Sequence, residues 1–409
     1  MKQKSINRWL ILIAGCVINF SLSGTSAFSI FVKPVMEATS WSMSAITLAY
    51  TLYNFVLCIT GIVVGTFAHK WKPWQIIYVG SIFFAAGWLV TGMAKSVLVM
   101  QLGFGVLAGI GGGFLYNYTL TNVLKWFPDR RGFASGLLLG CSAVGPVFCS
   151  PVATAILSNI GVFNAYKILG LIYASLLLLF GWLIHTPAPD YKPDGWQPEA
   201  AKSAVVATGK NMNWKQMLQT STFYLLYLLY LLFVGACTSY MMMLNAAAVI
   251  GQERAGMSPA MAALSVTLLA ISNFCGRMVF GTLSDKIGRY KTLMIALSIN
   301  FVSMLAMAVV KSAIPFLVLM CLVGACGGAL LVMFPPIVSE RYGVKHSGLN
   351  YSIMFSAYSV ASFVGPQIAA HYRSLGDYGP AFVWAACLTA AAFALLLIVM
   401  AQNKRRADC

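Results

Sequence analysis

One arginine, Arg277, stands deep within an otherwise apolar run, "LSVTLLAISNFCGRMVFGTLSDKIGR". It precedes Asp285 by about two helical turns. A lone cation in a bilayer costs about 2.5–3.5 kcal/mol on insertion scales, so it persists where it faces a polar cavity or a counter-ion. None of the ten Asp and Glu residues falls inside an apolar stretch of this chain. The simplest counter-ion is therefore an anion that enters from solution. A guanidinium presents a planar fork of donors that suits the two oxygens of a carboxylate better than an ammonium does. The chemistry implied is recognition of an acid. The competing reading is a snorkelling arginine, because Arg277 lies only about 12 Å of helical rise from Asp285.

Polar groups in other apolar stretches can complete such a site. Tyr116, Asn117 and Tyr118 follow three glycines, Gly111 to Gly113. Small residues there let helices approach closely or leave room for a ligand. A tyrosine hydroxyl can donate to a carboxylate while its ring keeps water out, although interhelical packing explains a tyrosine equally well. Tyr53 and Asn54 occupy the second stretch, and Asn273 lies one turn before Arg277. Tyr358, in the eleventh, can hydrogen-bond a hydroxyl or keto group or simply pack. His69, His185, His346 and His371 fall at stretch ends or in loops and assemble no proton relay. The ten cysteines show no metal-ligand or paired spacing and read as small hydrophobes. No nucleotide loop, Ser-His pair or paired carboxylates occur in the stretches. Neither a metal nor a cofactor is expected, and the chain does not read as an enzyme.

The elements that must hold these residues are membrane helices. Of 409 residues, 59% are hydrophobic and 9% charged, with a mean hydropathy of +0.80. A soluble protein could not bury that much apolar surface, and a bilayer core about 30 Å thick takes roughly 20 apolar residues per helix. Twelve stretches answer to this, near 9–32, 43–67, 75–94, 97–123, 133–157 and 165–185, then 220–246, 259–283, 293–311, 314–338, 349–371 and 380–401. The expectation is an all-α polytopic membrane protein. The first stretch follows Lys2, Lys4 and Arg8 but is too long for a signal-peptide core, so it reads as a retained anchor.

The formal charge of +17 serves topology rather than nucleic acid. With Arg277 set aside, 20 Lys and Arg fall on the side that carries both termini and 6 on the other. That asymmetry puts both termini in the cytoplasm of a multi-pass protein. The lipid bilayer is its one obligatory partner, and a monomer suffices for this architecture.

The long polar stretch "HTPAPDYKPDGWQPEAAKSAVVATGKNMNW" separates the sixth and seventh helices. It predicts a six-helix bundle over 1–185, a cytoplasmic linker over 186–214 and a second bundle over 215–409. The halves repeat: "GIGGGFL" (109–115) matches "GACGGAL" (324–330), "GTFAHKWKPW" (65–74) matches "GTLSDKIGRY" (281–290), and Gly145-Pro146 matches Gly365-Pro366. The three offsets are nearly equal. Parallel six-helix repeats with a site between them at mid-membrane form an alternating-access architecture.

Gly281-Thr282-Leu283-Ser284-Asp285-Lys286-Ile287-Gly288-Arg289 resembles the G-x-L-x-D-[RK]-x-G-R loop signature of the major facilitator superfamily. The resemblance spans essentially the whole chain and implies the twelve-helix, two-bundle fold. It also implies that Gly281, Asp285 and Arg289 form a loop motif whose Asp caps or pairs with a neighbouring helix end to hold the inward-closed interface. The first-half copy departs, with His69 in place of the acid and Lys72-Pro73 in place of Gly-Arg. A narrower likeness, in "NRWLIL", "KWFPDRRGFASG" and "SDKIGRYKT", is to the oxalate/formate antiporters, a branch close to the monocarboxylate porters. In the Trp-Phe-Pro-Asp loop, Pro128 is expected to stop one helix and Asp129 to cap the next.

That likeness implies that Arg277 holds the substrate carboxylate and that Tyr116 faces the substrate. Two departures shape the expectation further. Asn273 stands where proton-coupled monocarboxylate porters have an acid, which weakens proton symport by that route. Tyr358 stands where oxalate carriers have a lysine, and Gly327 and Leu331 replace an aromatic pair. One cation offsets one carboxylate, so a monocarboxylate fits better than oxalate. An uncompensated Arg277 disfavours closing of the empty carrier, which makes exchange more natural than uniport. The expectation is a secondary transporter of small organic anions in the cell (inner) membrane. The alternative within the superfamily is an efflux pump for amphipathic compounds.

Overall fold

The computed structural model describes residues 7–188, 191–193, 211–236, 238–374 and 378–407. Most of the expected linker, the side chains of Gly365, Pro366 and His371, and Cys237 and Cys409 lie outside the described residues. Among the described residues there is no strand.

The chain enters α1 (Arg8–Leu22), turns through a 3-10 segment (Ser23–Ala27) and continues as α2 (Phe28–Thr39). It then forms α3 (Met43–Phe67) and α4 (Pro73–Thr91). A short α5 (Val97–Met100) runs through a π-helical stretch (Gln101–Leu107) into α6 (Ala108–Trp126), followed by α7 (Arg131–Ile160) and α8 (Val162–Gly181). Beyond the central polar stretch come α9 (Trp214–Leu218), α10 (Ser221–Ala236), α11 (Thr238–Ala255), α12 (Pro259–Ile287) and α13 (Arg289–Val309). The chain closes with α14 (Ala313–Tyr342), α15 (Ser347–Ser374) and α16 (Gly379–Ala407).

Among the described residues, ten helical spans are long and apolar enough to cross a membrane. The expected seventh and eleventh stretches are helical as well, within α10, α11 and α15. The helices outrun the apolar stretches read from sequence. Asp285 and Glu340 lie in the last turns of α12 and α14 rather than in loops, and Lys167 lies within α8. Polar residues at a helix end do not interrupt the backbone ladder, so hydropathy alone places the ends too early.

Two compact units emerge. One comprises Met1–Asp129 and Cys141–Asp194, the other Arg130–Gly140 and Gly195–Cys409. The first ten residues of α7 thus group with the second unit.

In the first unit, α6 is held by close backbone approach. A Cβ at Gly111 would lie 2.3 Å from the Phe84 nitrogen of α4, and one at Gly113 would lie 2.6 Å from the Thr60 Cβ of α3. The run of glycines therefore brings helices together, the packing alternative of the two offered by the sequence. Aromatic rings fill the space beside it: Trp88 lies 5.6 Å from Phe104 and from Tyr166, and 5.0 Å from Tyr173. At the opposite end Arg8 pairs with Asp129 at 2.8 Å, its guanidinium 4.9 Å above the Phe127 ring.

In the second unit the repeat of that glycine motif does the same work. A Cβ at Gly324 of α14 would lie 2.8 Å from the Leu269 side chain of α12, and one at Gly328, the counterpart of Gly113, would lie 2.4 Å from the Asn273 carbonyl. Equivalent glycines thus bring equivalent helix pairs together in both units, which gives the sequence repeat a packing cause.

Candidate functional site

Arg277 and Asn273 sit four residues apart on one face of α12, against the glycines of α14. Arg277 is buried, 6% exposed, and Asn273 is fully buried. The Asn273 amide donates to the Gly324 carbonyl at 3.0 Å, which fixes its orientation and welds α12 to α14. The missing Cβ of Gly328 makes room for the stem of Arg277, whose Cγ would lie 3.0 Å from it. The guanidinium crosses to α7 and donates through Nη1 to the Leu139 carbonyl. Leu139 is three residues beyond Gly136, which abuts the Arg277 carbonyl, so the side chain reaches away from the Asp285 end of α12. That is the direction opposite to snorkelling.

A charged cluster organises the Asp285 end. Asp285 accepts from the Gly132 and Phe133 amides at 2.8 Å each, one per carboxylate oxygen. It thereby satisfies two of the orphan donors at the start of α7 and meets the positive end of that helix's dipole. Arg289 pairs with Asp285 at 2.6 Å and with Glu340 at 2.7 Å, and also donates to the Ser284 hydroxyl. Gly281 is buried against Gly132, where a Cβ would lie 2.4 Å from the Gly132 carbonyl. Gly281, Asp285 and Arg289 therefore gather on one contact, between α12 and α7. Asp129, the expected cap, accepts from Arg8, while the remote Asp285 takes the Gly132 and Phe133 amides.

The sequence reading missed five participants. Glu340 completes the cluster from α14. Ser135 of α7 donates to the Val332 carbonyl of α14 at 3.0 Å. Gly132, Gly136 and Gly140 form a four-residue-spaced stripe on α7 that lies against Gly281, Arg277 and Phe274 of α12. That regular glycine spacing was present in the sequence and could have signalled the contact.

The remaining candidates are divided between the two units. In the first unit, Tyr53 is buried with its ring 5.7 Å from Phe104, and its hydroxyl would lie 2.7 Å from a Cβ at Gly112. Tyr116 is half-buried, one turn beyond Gly112 on the same face of α6. Asn117 follows Gly113, which packs on α3, and is 3% exposed. Its amide atoms find no hydrogen-bond partner among the described residues. In the second unit Tyr358 is half-buried on α15 and stacks on Phe355 at 5.1 Å.

The chain resembles known proteins along nearly its whole length. It is 27% identical over 402 residues to the oxalate:formate antiporter of Oxalobacter formigenes, covering 98% of this chain and 93% of that protein. It is 27% identical over 356 residues to the MFS-type transporter YhjX of Escherichia coli (strain K12), covering 87% and 86%. To monocarboxylate transporter 12 of Rattus norvegicus it is 24% identical over 356 residues, covering 81% and 72%. Among solved structures it is similar in fold to FucP in the outward conformation, with a TM-score of 0.69 at 17% identity over 95% of this chain and 98% of that one. A bacterial homologue of the iron transporter ferroportin in its outward-facing state gives 0.72 at 14%, over 96% and 99%. Those relatives are transporters, not enzymes, and the helices described above are those of a multi-pass membrane protein. With the Major Facilitator Superfamily description matching residues 13–366 and 232–408, the chain belongs to that superfamily of transporters.

Proposed function

We propose that this transporter carries small organic anions, monocarboxylates in preference to oxalate, with the Arg277 guanidinium as the carboxylate anchor. The observation that supports this most is a buried guanidinium within an apolar helix, seated by Gly328 and directed away from the Asp285 end. A charge so placed favours an anionic ligand, because a guanidinium–carboxylate pair is strong where water is scarce. The relative from Oxalobacter formigenes, named for oxalate and formate, and the rat relative, named for monocarboxylates, support the same class.

Asn273 and Tyr358 of the second unit, and Tyr53, Tyr116 and Asn117 of the first, are the further polar groups proposed to contact substrate. Transport is by alternating access and more natural as exchange than as uniport, since a bound anion compensates the guanidinium during closure. Twelve membrane helices in two bundles, joined by the linker near 186–214, and both termini in the cytoplasm of the cell (inner) membrane complete the proposal. The test is counterflow of labelled lactate, pyruvate, formate and oxalate in proteoliposomes. Wild type is expected to exchange monocarboxylates, and Arg277→Gln to lose that exchange. Undiminished exchange by Arg277→Gln sinks the carboxylate role.

A further inference from the structure

The contact between α12 and the start of α7 has an unusual build. Its Asp285 end is fastened by charge, with one carboxylate taking two amides and Arg289. Along its length it is close-packed through Gly132, Gly136 and Gly140; a Cβ at Gly136 would lie 2.6 Å from the Arg277 carbonyl. At its deeper end Arg277 donates to the Leu139 carbonyl. The fastener at the deep end is thus the same group proposed above to receive substrate.

We propose that Arg277 is a carboxylate-operated clasp: without substrate its guanidinium holds α7 through the Leu139 carbonyl, and a bound carboxylate draws it off. The proposal rests on the carboxylate role of Arg277. A main-chain carbonyl is a neutral acceptor with two lone pairs, one of which the helix ladder uses. A carboxylate offers a full charge and two oxygens to the guanidinium fork, and such charge-assisted pairs are roughly twice as strong as neutral ones. The exchange of partners therefore runs toward substrate. When it occurs, the first third of α7 keeps its Asp285 cap and its Ser135–Val332 bond but loses the fastener near Leu139. Local opening of that segment becomes easier, because its protection depended in part on that bond.

The structure offers reasons for each component. Glycine at 136 and 140 lets the α7 backbone come near enough for a carbonyl in mid-helix to be reached from α12. Glycine at 328 gives the arginine stem the room to turn between partners. Neither role needs a second charged residue, which suits a stretch that has none.

Hydrogen exchange of residues 131–143 in the full chain, held in lipid nanodiscs, tests the clasp. Acetate, lactate and formate are added in turn, with acetamide as the uncharged analogue of acetate. Any acid that raises the thermal midpoint is expected to speed exchange in 131–143 about tenfold, the scale of one lost hydrogen bond to a charged group. Acetamide is expected to change nothing. Arg277→Gln is expected to exchange at the faster rate throughout and to ignore acid. The clasp is overturned if a binding acid leaves 131–143 unchanged or slower, or if acetamide matches acetate. Should Arg277→Gln not fold, the wild-type comparison decides alone. If no acid binds or moves in counterflow, the anion reading and the clasp fall together; if acids move while 131–143 stays silent, only the clasp falls.

Discussion

Arg277 was visible in sequence because charge is conspicuous in an apolar stretch; its partner was not. A main-chain carbonyl carries no residue identity, so nothing in the letters around Leu139 marks it as an acceptor. The same holds for Asn273, whose position one turn from Arg277 was legible but whose tie to Gly324 was a matter of three-dimensional approach. Arg277→Lys distinguishes charge from shape at this position. It keeps the charge and loses the planar fork, so counterflow is expected to fall by roughly 10- to 100-fold in apparent affinity, with residual activity above that of Arg277→Gln. Equal activity of the lysine variant and wild type would argue that a point charge suffices. A packing prediction concerns Gly276, where a Cβ would meet the Ala325 carbonyl at 2.1 Å. Gly276→Ala is expected to cost about 1–3 kcal/mol by overpacking, read as a lower thermal midpoint in detergent.

At the scale of elements, the loop signature in the sequence turned out to be the last turn of a helix. α12 runs to Ile287 and Gly288, at φ 93, is the single residue between it and α13. The signature's acid faces the amides of a helix more than 150 residues earlier in the chain, and only the resemblance to a family, not local spacing, anticipated such a pairing. Local reasoning looked to Asp129 because it precedes α7 directly, and could not anticipate that Arg8 pairs with it. The glycine repeats were legible as motifs, while the choice between a ligand space and a packing seam required knowing what each glycine faces. Asp285→Asn retains the size of the side chain but loses the charge shared by two amides and Arg289. The expected loss is about 1–3 kcal/mol, seen as a lower thermal midpoint and faster hydrogen exchange at 131–134. Little change in either would mean that the glycine seam holds α7 without help.

For the whole molecule, hydropathy located the membrane helices well and their ends poorly, since charged last turns extend α12 and α14 beyond their apolar cores. The grouping of Arg130–Gly140 with the second unit was marked in sequence by the glycine spacing at 132, 136 and 140, but a division by chain order cannot show which neighbours a segment packs against. The orientation proposed for the termini rests on loop charge rather than on packing. Fusions at the C-terminus are accordingly expected to give fluorescent green fluorescent protein and inactive alkaline phosphatase; the reverse pattern would overturn the cytoplasmic placement of that end.

The pairing of Arg8 with Asp129 links residues 121 positions apart, and so bears on how the protein is made. Ribosomes add about 5–20 residues per second, so the first helix waits roughly 6–24 s before its carboxylate partner is synthesised. In that interval its guanidinium meets water and lipid headgroups instead. Removing either partner is therefore expected to show itself first as degraded nascent chain and low yield, in cells where mature protein, once formed, remains serviceable.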